Sequence, residues 1–482
     1  MFSKTNAKPE VKEDEGTPLL QSSKELPKKR FVTVEPLAFF FAASLGVDGA
    51  MQAQYIEERL AQDRNYTLSK DDDINGTCNN KNTSDPDYII QQEIAADMAT
   101  WTMINTSLSY LPVVFLAPFY GVLSDRLGRK LNFAIPIIAH VVFCILLLLI
   151  LYLRLPLPVL AIANLVEGLG GQICFFIAGC YAYISDVSTK KARLVRLAVL
   201  QTVYFSGVGI IQIPVGYIIQ AYGFIPVAWL SVALLIAAIL YLTIPRVLLE
   251  TVEPNKTSKP IGARELFHDL YKLFAVNDQN RNYQILIILT IYFFTDIFQM
   301  STGATKISSL YGLGPPFCWS SVTLGYFNVV SMIFGAIGLL VGSKLFSLCL
   351  EDHWILQIAY LFGGLSNLFL AWAPTTAMFF LGAILGCPKG MDAPVLNSII
   401  SKLVSPHEQG TIFAVESSVQ SAASLISPLI LNSIYSASVK TQPSLVFYVI
   451  AGVFFMLIIL TWLWVIYTRK AVKLTTTRDN IS

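Results

Sequence analysis

Twelve long apolar stretches, rather than any single motif, decide what this chain can fold into. They lie near residues 35–57, 98–121, 131–153, 156–184, 194–221, 224–248, 284–309, 320–346, 354–373, 376–400, 410–435 and 443–468. A stretch of ~20 apolar residues crosses the bilayer core as one helix, and a helix satisfies its own backbone there. Of 482 residues, 54% are hydrophobic and only 14% charged, far from the balance of a soluble globule. The class is therefore an all-α membrane protein with twelve transmembrane helices. No nucleophile elbow, phosphate loop, metal-spaced His and Cys set or nucleic-acid patch appears, which speaks against an enzyme, a metal, a cofactor or a nucleic-acid partner.

The connecting loops are sided. Lys28, Lys29 and Arg30; Arg126, Arg129 and Lys130; Lys190, Lys191, Arg193 and Arg196; Arg264 and Lys272; Lys344; Lys402; and Arg469 and Lys470 all fall on one side. Basic loops stay in the cytoplasm, which predicts both termini there. The polar tail, residues 1–33, lacks the apolar core of a cleavable leader and has a disordered composition. Within it, Glu15-Gly16-Thr17-Pro18-Leu19-Leu20 matches an acidic dileucine signal, whose Glu15, Leu19 and Leu20 cytosolic clathrin adaptors would read. That favours a lysosomal or endosomal membrane, with the plasma membrane as the alternative. On the opposite side, the long loop from Arg59 to Ala96 carries acceptor triplets at Asn65, Asn75 and Asn82. Cys78 and Cys318 are the two cysteines expected on this oxidising side, and we expect them to form a disulfide.

Ionisable groups at bilayer depth are costly, so each needs a partner or a watery cavity. Asp48 lies on the first stretch, Glu167 and Gln172 on the fourth, Gln201 on the fifth, Asp296 and Lys306 on the seventh, Lys389 and Asp392 on the tenth, and Glu416 and Gln420 on the eleventh. The third, sixth, ninth and twelfth are nearly uncharged in their middles, His140 excepted. Lys389 and Asp392 share a helical face and could simply neutralise each other. Glu416, Gln420, Ser424 and Ser427 form a polar stripe that suits a pathway or close helix packing. Glu167, one turn before Gly170 and Gly171, is a candidate proton carrier or a structural hydrogen-bonding group. His140 reads as a core histidine.

The turn Gly121-Val122-Leu123-Ser124-Asp125-Arg126-Leu127-Gly128-Arg129-Lys130 between the second and third stretches closely resembles the signature loop of the major facilitator superfamily. Gly121 would allow close helix approach, Gly128 a tight reversal, and Asp125, Arg126 and Arg129 charges that pair in one conformation and part in another. Asp186, at the end of the fourth stretch, is expected to pair with Arg129 and latch the gate. Further stretches resemble solute carrier family 46, the group that includes the proton-coupled folate transporter and a lysosomal member. They include Asp186-Val187-Ser188, Pro316-Phe317-Cys318-Trp319 and Glu408-Gln409-Gly410, and the resemblance runs over nearly all of Val34 to Tyr467. It implies two six-helix bundles, 34–249 and 283–468, joined by a cytoplasmic loop 250–282 with an amphipathic helix and followed by a tail 469–482. It also implies a central cavity lined by spans 1, 4, 7 and 10 with 2, 5, 8 and 11 beside them, and it supports the pairing of Cys318.

Departures from the folate transporter are informative. Its acidic residues on spans 4 and 5 become Gln172 and Gln201, its span 7 histidine Ser301 and its span 10 arginine Asn397. That points to a different, less anionic solute. The function expected is secondary active transport of a small organic solute by alternating access, with protons as a candidate second substrate and the lipid bilayer as surroundings. The alternative is a membrane receptor or scaffold that keeps the fold without transporting. The topology has a direct check: glycosidase treatment should raise the electrophoretic mobility of the wild type, and the triple variant Asn65→Gln, Asn75→Gln, Asn82→Gln should show no such shift. A wild type without glycans on this loop contradicts the sidedness.

Overall fold

The computed structural model describes residues 33–66, 86–244, 248, 250–252, 263–275, 280–300, 307–309, 311–312, 317, 319, 321–438 and 441–479. Glu15, Leu19, Leu20, Asn75, Asn82, Cys78, Cys318, Ser301 and Lys306 lie outside the described residues. Ten of the described helices are long and apolar enough to cross a membrane. The other two crossings are Glu35–Asp63, diluted by Asp48 and the acids of its last turns, and Arg281–Thr295, which runs on into a π turn at Asp296–Met300. Spans are numbered 1 to 12 in chain order from Glu35–Asp63.

Spans 2, 3, 5 and 6 are Pro86–Leu127, Leu131–Leu153, Arg193–Tyr222 and Phe224–Thr243. Span 4 is broken, Leu157–Leu169 then Gln172–Val187. Span 8 runs from Ser321–Ile337 through a π turn, Gly338–Gly342, to Ser343–Cys349. Spans 9, 11 and 12 are Asp352–Trp372, Gln409–Ser438 and Leu445–Asp479. Span 10 comprises Thr376–Leu385, a 3-10 turn Cys387–Met391 and Asp392–Leu403. Two elements overrun the expected bounds. Span 2 starts at Pro86, inside the region read as a loop, and span 12 continues through the region read as a tail. Both extensions are polar, so hydropathy alone could not reveal them.

Each span presents one face to lipid and one to its neighbours. On span 3, Ile138, Ile145, Leu149 and Tyr152 are exposed while Phe133, Ile137, His140, Cys144 and Leu147 are buried, a helical stripe of the kind packing demands. Span 1 packs on spans 5 and 6, span 3 on 4 and 6, and span 2 on 4; in the second half, span 9 packs on 10 and 12. Between halves, span 2 meets span 11 and span 5 meets spans 8 and 10. The pairs 2 with 11 and 8 with 5 exchange when each number moves by six, as a twofold relation between the bundles requires.

One close contact between halves is at Gly121. A methyl there would overlap the Cβ of Ala414 and stand 2.7 Å from the Gly410 carbonyl oxygen. We expect Gly121→Val to cost about 1–3 kcal/mol of stability by overpacking, read as a lower thermal unfolding midpoint in detergent. Gly216→Ala, which meets nothing within 4 Å, should leave the midpoint in place.

Candidate functional site

Between the halves lies a small cavity of about 20 Å³, lined by Tyr181 of span 4, Gln201 of span 5, Tyr292, Thr295 and Asp296 of span 7, Ala393 and Leu396 of span 10, and Gln420 of span 11. That is room for about one water. A second cleft beside it is bounded by Ile288, Leu289, Tyr292, Leu396, Asn397, Ile400 and Glu416. Local irregularities aim these groups inward. The span 7 helix widens into its π turn at Asp296, and the 3-10 turn in span 10 starts a fresh helix at Asp392, whose Oδ1 accepts the Ala393 amide at 2.7 Å. Gln299 Nε2 donates to the Lys389 carbonyl at 3.2 Å, which ties the two irregular turns together.

Several buried polar atoms here have no partner: Gln201 Oε1, Asp296 Oδ2, Asp392 Oδ2 and Glu416 Oε2. Such atoms are expensive in an apolar interior unless a ligand or water completes them. Gln201, Asp296 and Gln420 thus share the cavity, with Glu416 on the adjoining cleft. Lys389 and Asp392 belong to the neighbouring turn and feel each other electrostatically. Gln172 opens the second half of span 4 with φ 49°, a left-handed conformation unusual for a residue with a side chain.

Asp48 and Glu167 are elsewhere. They sit inside the first bundle, on either side of His140, whose Nε2 is 3.1 Å from Asp48 Oδ2 and whose Nδ1 is 3.0 Å from Glu167 Oε1. Ser231 Oγ donates to Asp48 Oδ2 at 2.7 Å, and Ser44 Oγ lies 2.7 Å from Ser231 Oγ. Asp48, His140 and Glu167 are 2%, 1% and 5% exposed. A histidine on span 3 therefore joins carboxylates of spans 1 and 4. Its sequence neighbourhood, all apolar, gave no hint of this.

A third cluster closes the face that carries the basic loops. Arg129 has no exposed side-chain surface; its Nε donates to Asp186 Oδ2 at 2.8 Å, its Nη1 to Asp125, and its Nη2 to the Pro406 carbonyl at 3.3 Å. Asp125 reaches across to span 11, accepting the Gly410 amide at 2.9 Å, the Thr411 amide at 2.7 Å and the Thr411 hydroxyl at 2.6 Å. Burial alone would lower the Arg129 pKa, but Asp125 and Asp186 outweigh it and raise it, so the guanidinium stays charged. Gly128 turns with φ 123° against the carboxylate of Glu250, whose oxygens accept the Arg129 and Lys130 amides at 2.5 and 3.1 Å. Glu250 thereby caps span 3. Arg126 stands apart from the knot and pairs with Glu265 of the helix Ala263–Ala275 at 3.2 Å. Sequence reading missed Glu250, and also Arg193, whose Nη1 donates to the Ser401 carbonyl at 3.1 Å and its hydroxyl at 2.9 Å across the halves. Both looked like ordinary loop charges.

The sequence profile of the Major Facilitator Superfamily matches residues 85–349 and 317–480. The chain is 28% identical over 421 residues to the lysosomal proton-coupled steroid conjugate and bile acid symporter of Gallus gallus, covering 85% of this chain and 89% of that one. It is 27% identical over 422 residues to the proton-coupled folate transporter of Rattus norvegicus, covering 88% and 89%. Among solved structures it is similar to the human organic anion transporter TETRAN, with TM-score 0.69 and 15% identity over 89% of this chain and 97% of that one. A bacterial homologue of ferroportin in an outward-facing state gives TM-score 0.63 and 13% identity over 90% and 99%.

Removing Arg129 leaves two buried carboxylates uncompensated. Arg129→Ala is expected to cost about 3–5 kcal/mol, seen as a large fall in thermal midpoint, and Asp186→Asn, which keeps a hydrogen-bonding side chain, should cost less. An unchanged midpoint for Arg129→Ala contradicts the role assigned to this knot.

Proposed function

Because this chain belongs to the Major Facilitator Superfamily, and so is a secondary transporter moving a small organic solute by alternating access, we propose that it couples transport to protons and carries an amphipathic solute of the steroid-conjugate or bile-acid kind. The observation that carries this reading is the chemistry of the lining between the halves, which encloses room for about one water in this closed arrangement and must part to admit a solute: the Tyr181 and Tyr292 rings and Leu396 sit beside Gln201, Gln420 and Asp296. Rings and an aliphatic wall suit a rigid apolar body, while amides and a carboxylate with open hydrogen-bonding capacity suit a few polar groups. The relatives named as proton-coupled symporters point the same way, since both their solutes and their coupling require a polar pathway through the membrane.

In this reading the Asp125–Arg129–Asp186 knot and the Arg193–Ser401 contact form the cytoplasmic gate, with Gly121 and Gly128 giving the close approach and the reversal it needs. Solute binding in the cavity and release of those contacts alternate. The segment containing Glu15, Leu19 and Leu20 addresses the protein to lysosomes through clathrin adaptors, and the termini face the cytoplasm. Gln172, Gln201, Ser301 and Asn397, in place of the folate transporter's ionisable groups, turn the site away from a multiply charged solute.

The test is uptake into proteoliposomes of radiolabelled taurocholate, estrone sulfate and folic acid, with and without an inward-directed acid gradient. Taurocholate or estrone sulfate uptake should rise at least about fivefold with the gradient and collapse with a protonophore, and folic acid should stay at background. Uptake indifferent to the gradient contradicts proton coupling, and absence of both steroid-type probes contradicts the solute class.

A further inference from the structure

We propose that the coupling proton is held inside the first bundle, on the Asp48–His140–Glu167 triad, apart from the cavity that takes the solute; this rests on the proton-coupled reading above. The geometry is that of a relay. Both ring nitrogens of His140 are engaged by carboxylates, at 3.1 Å and 3.0 Å, so a proton accepted at either acid has a path through the imidazole to the other. Asp48 Oδ1 is buried and has no partner, which leaves an oxygen open for that proton.

Charge counting leads to the same place. With all three groups ionised the triad carries one net negative charge in the interior of a membrane bundle, a costly state, and one further proton neutralises it. The groups that face it are few. Span 1 contributes Ser44, whose Oγ is 3.2 Å from His140 Nε2, span 2 contributes Tyr110 within electrostatic reach of Glu167, span 3 contributes Cys144, whose Sγ is 3.5 Å from Asp48 Oδ2, and span 6 contributes Ser231. Phe41 and Phe143 close over the ring with centroids 5.5 Å away. No Lys or Arg of the described residues pairs with either carboxylate, so exchange of one proton is the available way to change the charge.

A polar ladder leads away from the triad. One turn after Asp48 stands Gln52, and one turn before Glu167 stands Asn164, whose Nδ2 donates to Gln52 Oε1 at 3.3 Å. Ser109 Oγ of span 2 donates in turn to Asn164 Oδ1 at 3.2 Å. The ladder starts one turn from Asp48 and from Glu167 and reaches the span that carries Gly121 and Asp125 at its other end. Immediately after Glu167, span 4 breaks, and its Leu169 carbonyl is taken by the Tyr120 hydroxyl at 2.9 Å instead of by its own helix. A change of charge at Glu167 thus acts beside a joint in the helix.

The direct test is infrared difference spectroscopy of the full chain in lipid nanodiscs, between acid and neutral pH and without any solute. A protonated-carboxyl band should appear on acidification, be lost or shifted in both Asp48→Asn and Glu167→Gln, shift in His140→Gln, and persist in Asp296→Asn. A band absent from the wild type, or unaltered by Asp48→Asn and Glu167→Gln, overturns the proposal, as does a stoichiometric metal ion in elemental analysis of the purified protein, since Asp48, His140 and Cys144 offer donor atoms within 4.8 Å of one another. In proteoliposomes, the ratio of taurocholate uptake with to without the acid gradient should fall to about one in Asp48→Asn or Glu167→Gln, a loss of about fivefold or more; a ratio kept at the wild-type value overturns the proposal. If the wild type itself ignores the gradient, the proton-coupled reading fails, and the infrared result still decides whether the triad binds a proton. Each variant is checked for monodisperse elution, and where Asp48→Asn does not fold, Glu167→Gln decides by the same readouts.

Discussion

A guanidinium with no exposed surface is the constraint on which the closed face of this molecule depends. Taking such a charge out of water costs several kcal/mol, and only well-placed opposite charges and acceptors offset it. Arg129 finds them on the end of span 2, the end of span 4 and the turn before span 11. The two halves cannot separate at this face without exposing or stranding those groups together. Glu250, from the segment that joins the halves, holds the same turn through its amides, and Thr251 Oγ1 donates to Asp186 at 2.9 Å, so the linker is part of the closure.

Span 4 connects the three polar regions. Glu167 belongs to the triad, Tyr181 to the cavity wall and Asp186 to the Arg129 knot, all on one broken helix. The break at Gly171 and Gln172, both with positive φ, divides the helix into two parts. On the proposed reading, proton, solute and gate all bear on this single element.

How much of this could be read from sequence depended on the range of the interaction. Span number and the Arg129–Asp186 contact were legible, because hydropathy is a local property and the loop motif is a local pattern. The grouping of Gln201, Asp296 and Gln420 followed from the resemblance to the superfamily. His140 is the buried, satisfied histidine that the sequence suggested, but its partners lie on spans 1 and 4, distant in sequence and invisible to any spacing rule. Asp48 was expected on the central cavity with other embedded acids. Span 1 turns it instead towards Ser231 of span 6, since a carboxylate between packed helices must find donors wherever they are. The polar helical extensions of spans 2 and 12 escaped for the opposite reason: their helicity does not come from membrane burial.

The central claim is that two bundles rock about a shared cavity, so that closing one face opens the other. Spin labels at Leu127 and His407 report the face of the Arg129 knot, and labels at Tyr222 and Tyr326 report the opposite face. Pulsed dipolar distances in nanodiscs, collected across pH and with taurocholate added, should change in opposite directions for the two pairs. Distances that stay fixed under every condition, or that lengthen together, would contradict alternating access about this cavity.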